Sequence, residues 1–219
     1  MLEQIKPMDI ERRSFEIITE LLGDRVLDPE NELVIKRAIH TTADFDYADN
    51  LVFSEHAVQK GIAALKAGCD IVTDTQMARA GINKTILSSL GGEVHCFMSD
   101  ADVAAEAKAR GVTRAIVSME KAVQLQKPCI FAIGNAPTAL VAIERLMEEG
   151  KLTPALIIGV PVGFVNVVES KELMIVHHLA PYIIARGRKG GSNVAAAICN
   201  ALLYLASGRT PMPQTKETP

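Results

Sequence analysis

Five short apolar runs, each closed by Gly, Pro or polar residues and separated by stretches of helical pattern, constrain this chain more than any other feature. They are Ile71 to Thr73, Val94 to Met98, Cys129 to Ile133, Ala155 to Val160 and Tyr182 to Ala185. Both alternating positions in each run are mostly apolar, which is the pattern of strands covered by helices on two faces. Asp102 to Arg110 follows a capping Ser99 and stops at Gly111, while Thr138 to Glu149 repeats apolar residues at helical spacing and stops at Gly150. Ser192 to Leu205 is Ala-rich, with Ser192 or Asn193 available as its cap. Such alternation implies an α/β fold: a mainly parallel, five-stranded sheet with helices on both faces.

The residues ahead of the first run read as a helical N-terminal extension. Asp9 to Leu22 is amphipathic and offers Ile10, Ile17, Ile18, Leu21 and Leu22 for burial. A second helix is expected from near Pro29 to Ile39, because Pro suits a first turn, and a third from Glu55 to Ala67, between Ser54 and Gly68. The simplest division is one α/β domain over 1–210. Residues 211–219, with Pro211, Pro213 and Pro219, then form a flexible tail.

Composition narrows the classes of partner. Hydrophobic residues are 48% of 219, enough for a sizeable core, and a net charge of -3 gives no reason to expect nucleic acid or an anionic membrane. Met1 to Pro7 has no basic stretch ahead of an apolar run, so no secretory signal is expected. No stretch approaches the roughly 18 uninterrupted apolar residues of a spanning helix. Cys69, Cys96, Cys129 and Cys199 form no Cys-x-x-Cys pair, which argues against a disulfide framework or a zinc site. A soluble, cytoplasmic chain is expected.

Ligands of parallel sheets collect beyond the carboxyl ends of the strands. Three unusual loops should lie there: Gly134-Asn135-Ala136-Pro137-Thr138, Gly159-Val160-Pro161-Val162-Gly163-Phe164, and Gly187-Arg188-Lys189-Gly190-Gly191-Ser192-Asn193. Any one alone reads as a tight turn. Three at one edge read as a site, with outward-facing amides and the charges of Arg188 and Lys189 suited to anionic groups. None carries a nucleotide fingerprint, so a nucleotide cofactor is not expected.

A second candidate is Arg37-Ala38-Ile39-His40-Thr41-Thr42-Ala43-Asp44, which puts a cation and an imidazole on one helix face. On spacing alone, a single His near a helix end is more often structural. The adjacent His177 and His178 point apart and make a poor metal pair, while His56 and His95 have no evident companions. Asp44, Asp46 and Asp49 read as a solvated loop, since a calcium loop would need a Gly and a distal Glu. No metal site is expected. Asp70, Asp74 and Gln76 flank the first strand and could reach the same edge.

Arg13-Ser14-Phe15-Glu16-Ile17-Ile18, the Arg37 to Asp44 segment, Gly134 to Leu140, Gly159 to Phe164 and Gly187 to Ser192 occur in one order across nearly the whole chain. In that order they resemble the precorrin-8X methylmutase family. The resemblance implies an α/β homodimer that shifts a methyl from ring carbon 11 to carbon 12 of a corrinoid tetrapyrrole. It implies His40 as proton donor and acceptor, and Ser14 and Arg37 as substrate contacts. Thr41, Asn135, Gly163, Arg188, Gly190 and Gly191, in or beside the same segments, complete the expected substrate site. An internal methyl shift needs no cofactor, in keeping with the missing nucleotide motifs. Asn166-Val167-Val168 stand where the family commonly has small residues, which bears on the local loop shape. Two other classes compete: a non-catalytic tetrapyrrole carrier, and a doubly wound oxidoreductase or methyltransferase.

Overall fold

The structure is a computed structural model that describes residue 6 and residues 9–209. The expected tail, 211–219, and the opening segment Met1 to Ile5 lie outside the described residues. The chain runs α1 (Ile10–Leu22), α2 (Glu32–Thr42), α3 (Tyr47–Asn50), β1 (Leu51–Phe53), α4 (Ala57–Lys66), β2 (Asp70–Thr73), α5 (Gln76–Gly81), α6 (Lys84–Ser89), β3 (Val94–His95) and α7 (Ala101–Arg110). It continues with α8 (Arg114–Ala122), β4 (Cys129–Ile133), α9 (Pro137–Glu148), β5 (Leu156–Gly159), α10 (Val167–His177), β6 (Tyr182–Ala185) and α11 (Ser192–Ala206).

The sheet has six strands rather than five, in the order β1-β6-β5-β4-β2-β3. The five expected strands are parallel, and the added β1 pairs antiparallel with β6 through Leu51 and Ala185. Alternate residues of the central strands go to opposite faces. Ile130, Ala132, Leu156, Ile158, Ile183 and Ala185 join one core with α2, α4 and α11. Cys129, Phe131, Ile133, Ile157, Tyr182 and Ile184 join another with α8, α9 and α10. Double coverage is therefore why these strands are apolar at every position.

The helical extension does not stand apart: α2 and α4 supply Val34, Ile35, Ile39, Val58 and Leu65 to the first core. α2 begins three residues later than expected, leaving Pro29 in the preceding turn, and extends to Thr42. That extension keeps His40 helical. α1 buries Phe15, Ile18 and Leu22, yet leaves Ile10 and Leu21 exposed. α10 is preceded by Asn166, whose φ of 56° is the left-handed conformation that Asn tolerates better than most residues. Val167 is buried beneath Gly163, where a Cβ would come within 3.1 Å of its Cγ2. The loop is thus shaped around Val167.

Candidate active site

β5 and β6 end beside each other, and the glycines that follow them let the two loops interlock. Gly191 N donates to Val160 O at 2.9 Å, and Gly163 N donates to Arg188 O at 3.2 Å. A Cβ on Gly190 would lie 2.1 Å from Val160 O, and one on Gly134 would lie 2.7 Å from Ser192 Cα. These glycines therefore first serve loop-to-loop contact.

The loop after β4 differs from expectation. Its amides are not free: Gly134 N, Asn135 N and Ala136 N donate to the Asp74 carboxylate at 2.9, 2.8 and 2.6 Å. Asp74, buried just beyond β2, thereby joins the end of β2 to the loop that follows its neighbour β4. Burial, the larger effect, holds its carboxyl above the usual range against the downward pull of those amides. The Asn135 side chain remains exposed.

The third loop reaches back to α2. Lys189 Nζ donates to Asp44 and Asp46 at 2.6 Å each, so its charge is already paired. That ion pair ties the α11 entrance to the residues just beyond His40. Arg188 is exposed and, among the described residues, has no carboxylate in ion-pair range. Beneath the turn, the fully buried Lys171 donates to Gly187 O at 2.8 Å and Lys189 O at 2.9 Å.

His40 lies in the last turn of α2 with its ring 5.8 Å from that of Phe15. Its pKa is lowered, chiefly by partial burial and then by Arg37, with Glu11 pulling the other way. Arg37 is 8% exposed, bonded to Glu11, and sandwiched between Phe15 at 4.9 Å and Tyr204 at 5.2 Å. Ser14 donates its hydroxyl to Ile10 O at 2.8 Å, and Thr41 is exposed. Arg37 and His40 thus share α2 and meet Phe15 of α1, Ser14 precedes Phe15 but is bonded within its own helix, and Gly163, Arg188, Gly190 and Gly191 come together at the carboxyl edge.

Several partners come from distant sequence. His56 pairs with Glu30 at 3.2 Å and His95 with Asp70 at 3.0 Å, so both have the companions their local sequence lacks. Asp44 and Asp46 serve Lys189, while Asp49 serves Arg25. Glu144, Glu148 and His177 converge within 4.8 Å, but on the later turns of α9 and α10, toward the amino edge and away from the groups above. Lys171 and Glu11 carry no local signal of their roles, because their partners lie 16 or more residues away.

A family model described as precorrin-8X methylmutase matches residues 9–205. The chain belongs to that family. The cobalt-precorrin-8 methylmutase of Priestia megaterium is 45% identical over 215 residues, covering 98% of this chain and 95% of that protein. The precorrin-8X methylmutase of Pseudomonas aeruginosa is 39% identical, covering 88% and 93%. The solved precorrin-8X methylmutase of Thermus thermophilus superposes with a TM-score of 0.83 at 37% identity, covering 91% of this chain and 98% of that one. Methylmutases are isomerases, and the chain is an isomerase of this family. These comparisons give the carrier reading no support.

Proposed function

We propose that the chain moves a methyl group from ring carbon 11 to ring carbon 12 of precorrin-8X or its cobalt-bearing form, with His40 as proton donor and acceptor. The observation that carries this reading is the exposed imidazole at the end of α2, beside a buried guanidinium and tied through Asp44 and Lys189 to the glycine-rich edge. Arg37 favours the neutral imidazole before substrate arrives, and the carboxylate arms of a bound corrinoid favour the protonated form. The imidazolium then gives its proton to the conjugated macrocycle, which becomes an electron sink. The bond from carbon 11 to the methyl breaks, the bond to carbon 12 forms, and the proton returns to His40. No redox change or donor is involved.

Arg188 and the first-turn amides of α11 suit the carboxylate arms, since helix N-termini lack intrahelical acceptors for those groups. For Arg37 to take one of these arms, the arm would replace Glu11. The Ser14 hydroxyl, Thr41, the Asn135 side chain and the backbone at Gly163, Gly190 and Gly191 complete the proposed contacts. A second copy of the chain fits the exposed apolar groups, Ile10 at 52%, Leu21 at 66% and Phe164 at 83%. Sedimentation showing a fully active monomer would count against the homodimer. Among the described residues no helix is long and apolar enough to cross a membrane, and a cytoplasmic setting accords with a pathway enzyme.

The test adds precursor alone to purified protein. Product without any cosubstrate is expected; binding without conversion fits a carrier, and conversion only with an added donor fits the third class. Running the metal-free and cobalt precursors side by side assigns the preferred one.

A further inference from the structure

Lys171 is fully buried on α10, and among the described residues no carboxylate is in ion-pair range of it. Glu172, its neighbour in sequence, pairs with Arg186 at 3.1 Å, and Asp44 and Asp46 pair with the side chain of Lys189, whose carbonyl Lys171 holds. A buried ammonium without a counter-charge is costly, and a Met would fill its space without that cost. Burial pulls its pKa down to about 8. What the ammonium gains is two carbonyls, those of Gly187 and Lys189, on either side of Arg188. The Arg188 carbonyl is itself held by Gly163 N. All three consecutive carbonyls are therefore fixed, and the Arg188 guanidinium is left exposed and, among the described residues, without an ion-pair partner.

We propose that Lys171 is a positioning residue for substrate binding, holding the turn on both sides of Arg188 so that the guanidinium meets a carboxylate arm of the corrinoid. The assignment rests on the methylmutase reading above and adds to it a residue that touches no substrate. Loss of the tether should loosen the turn while leaving the proton chemistry at His40 in place.

The experiment is steady-state kinetics on whichever of the two precursors the wild type converts faster. Lys171→Met keeps the side-chain length and removes the donors. Its KM should rise about tenfold, the equivalent of one charge-assisted contact, with kcat little changed. Added to Arg188→Ala, it should raise KM no further, because the group it positions is gone. Additive effects, a loss confined to kcat, or an unchanged KM in the folded variant would each overturn the proposal. Should Lys171→Met not fold, Gly187→Pro decides from the other side. The proline ring fixes φ at about −65°, which the φ of 76° at Gly187 cannot match, so the carbonyl held by Lys171 must shift. A raised KM with kcat retained supports the role, and an unchanged KM rejects it. A wild type that converts neither precursor would instead be a failure of the methylmutase reading.

Discussion

Arg37→Ala should cost the protein much of its stability as well as altering its chemistry. Arg37 lies over the rings of Phe15 and Tyr204, and each such contact contributes about 0.5–1 kcal/mol at a partly exposed site. Its bond to Glu11 is intermediate between surface and core, with Arg37 at 10% and Glu11 at 30% side-chain exposure. Breaking it should cost about 1–2 kcal/mol. The sum, about 2–4 kcal/mol, corresponds to a fall in Tm of about 5–15 °C for a chain of this size. The same change should raise the His40 pKa twice over, since the guanidinium lowers it and the freed Glu11 raises it. The sign of the pH effect follows. His40 is held below its ordinary 6.5, so on acidification the unfolded chain takes up that proton first, and stability is lost as pH falls through that window. Arg37→Ala should shrink this acid loss, and Arg37→Lys, which keeps the charge, should retain most of it. Calorimetry from pH 5 to 8, with NMR titration of the His40 ring, provides the assay. Parent-like melting together with an unchanged His40 titration would refute the reasoning.

Gly190→Ala places a Cβ 2.1 Å from the Val160 carbonyl oxygen, so the interlocked loops must part; a loss of about 3 kcal/mol or more is expected in denaturant melts. Gly111→Ala, at a φ of 65° with nothing within 4 Å, should cost only about 1 kcal/mol in the same assay. Asp74→Asn replaces one carboxylate oxygen by an amide NH2, so at least one of the three backbone donors meets another donor; the change should cost about 1–3 kcal/mol by chemical denaturation, with a parent-like midpoint counting against the cap. Lys171, with its pKa near 8, should make stability rise with pH from about 8 toward its ordinary 10.5, because there the unfolded chain binds the extra proton. Lys171→Met should abolish that rise, and pH-dependent melting of the two proteins checks it.

The central strands were legible because burial on both faces leaves no polar alternation: Cys129 to Ile133 and Tyr182 to Ala185 announce themselves. Leu51–Phe53 does not, since three residues carry no period and the strand exists through pairing with residues 130 or more positions on. α8 did carry a readable signal, Thr113 capping Ile116 N ahead of Ala115, Met119 and Ala122. α10 carries little, because Val176 faces solvent while Lys171 faces inward. In the site, Arg37 and His40 could be read together because they are neighbours on one helix. The partners that change their meaning could not: Glu11 for Arg37, Asp44 and Asp46 for Lys189, and Asp74 for the Gly134 loop are set by tertiary packing.

The most direct measurement is conversion of precursor by folded His40→Ala. His40 is exposed, and the carboxylate arms should carry most of the affinity. The variant should therefore melt like the parent and bind product with near-parent affinity, while turnover falls by about 10²- to 10⁴-fold, the worth of a general acid–base group. Conversion close to the parent rate by that folded, product-binding variant would contradict the account.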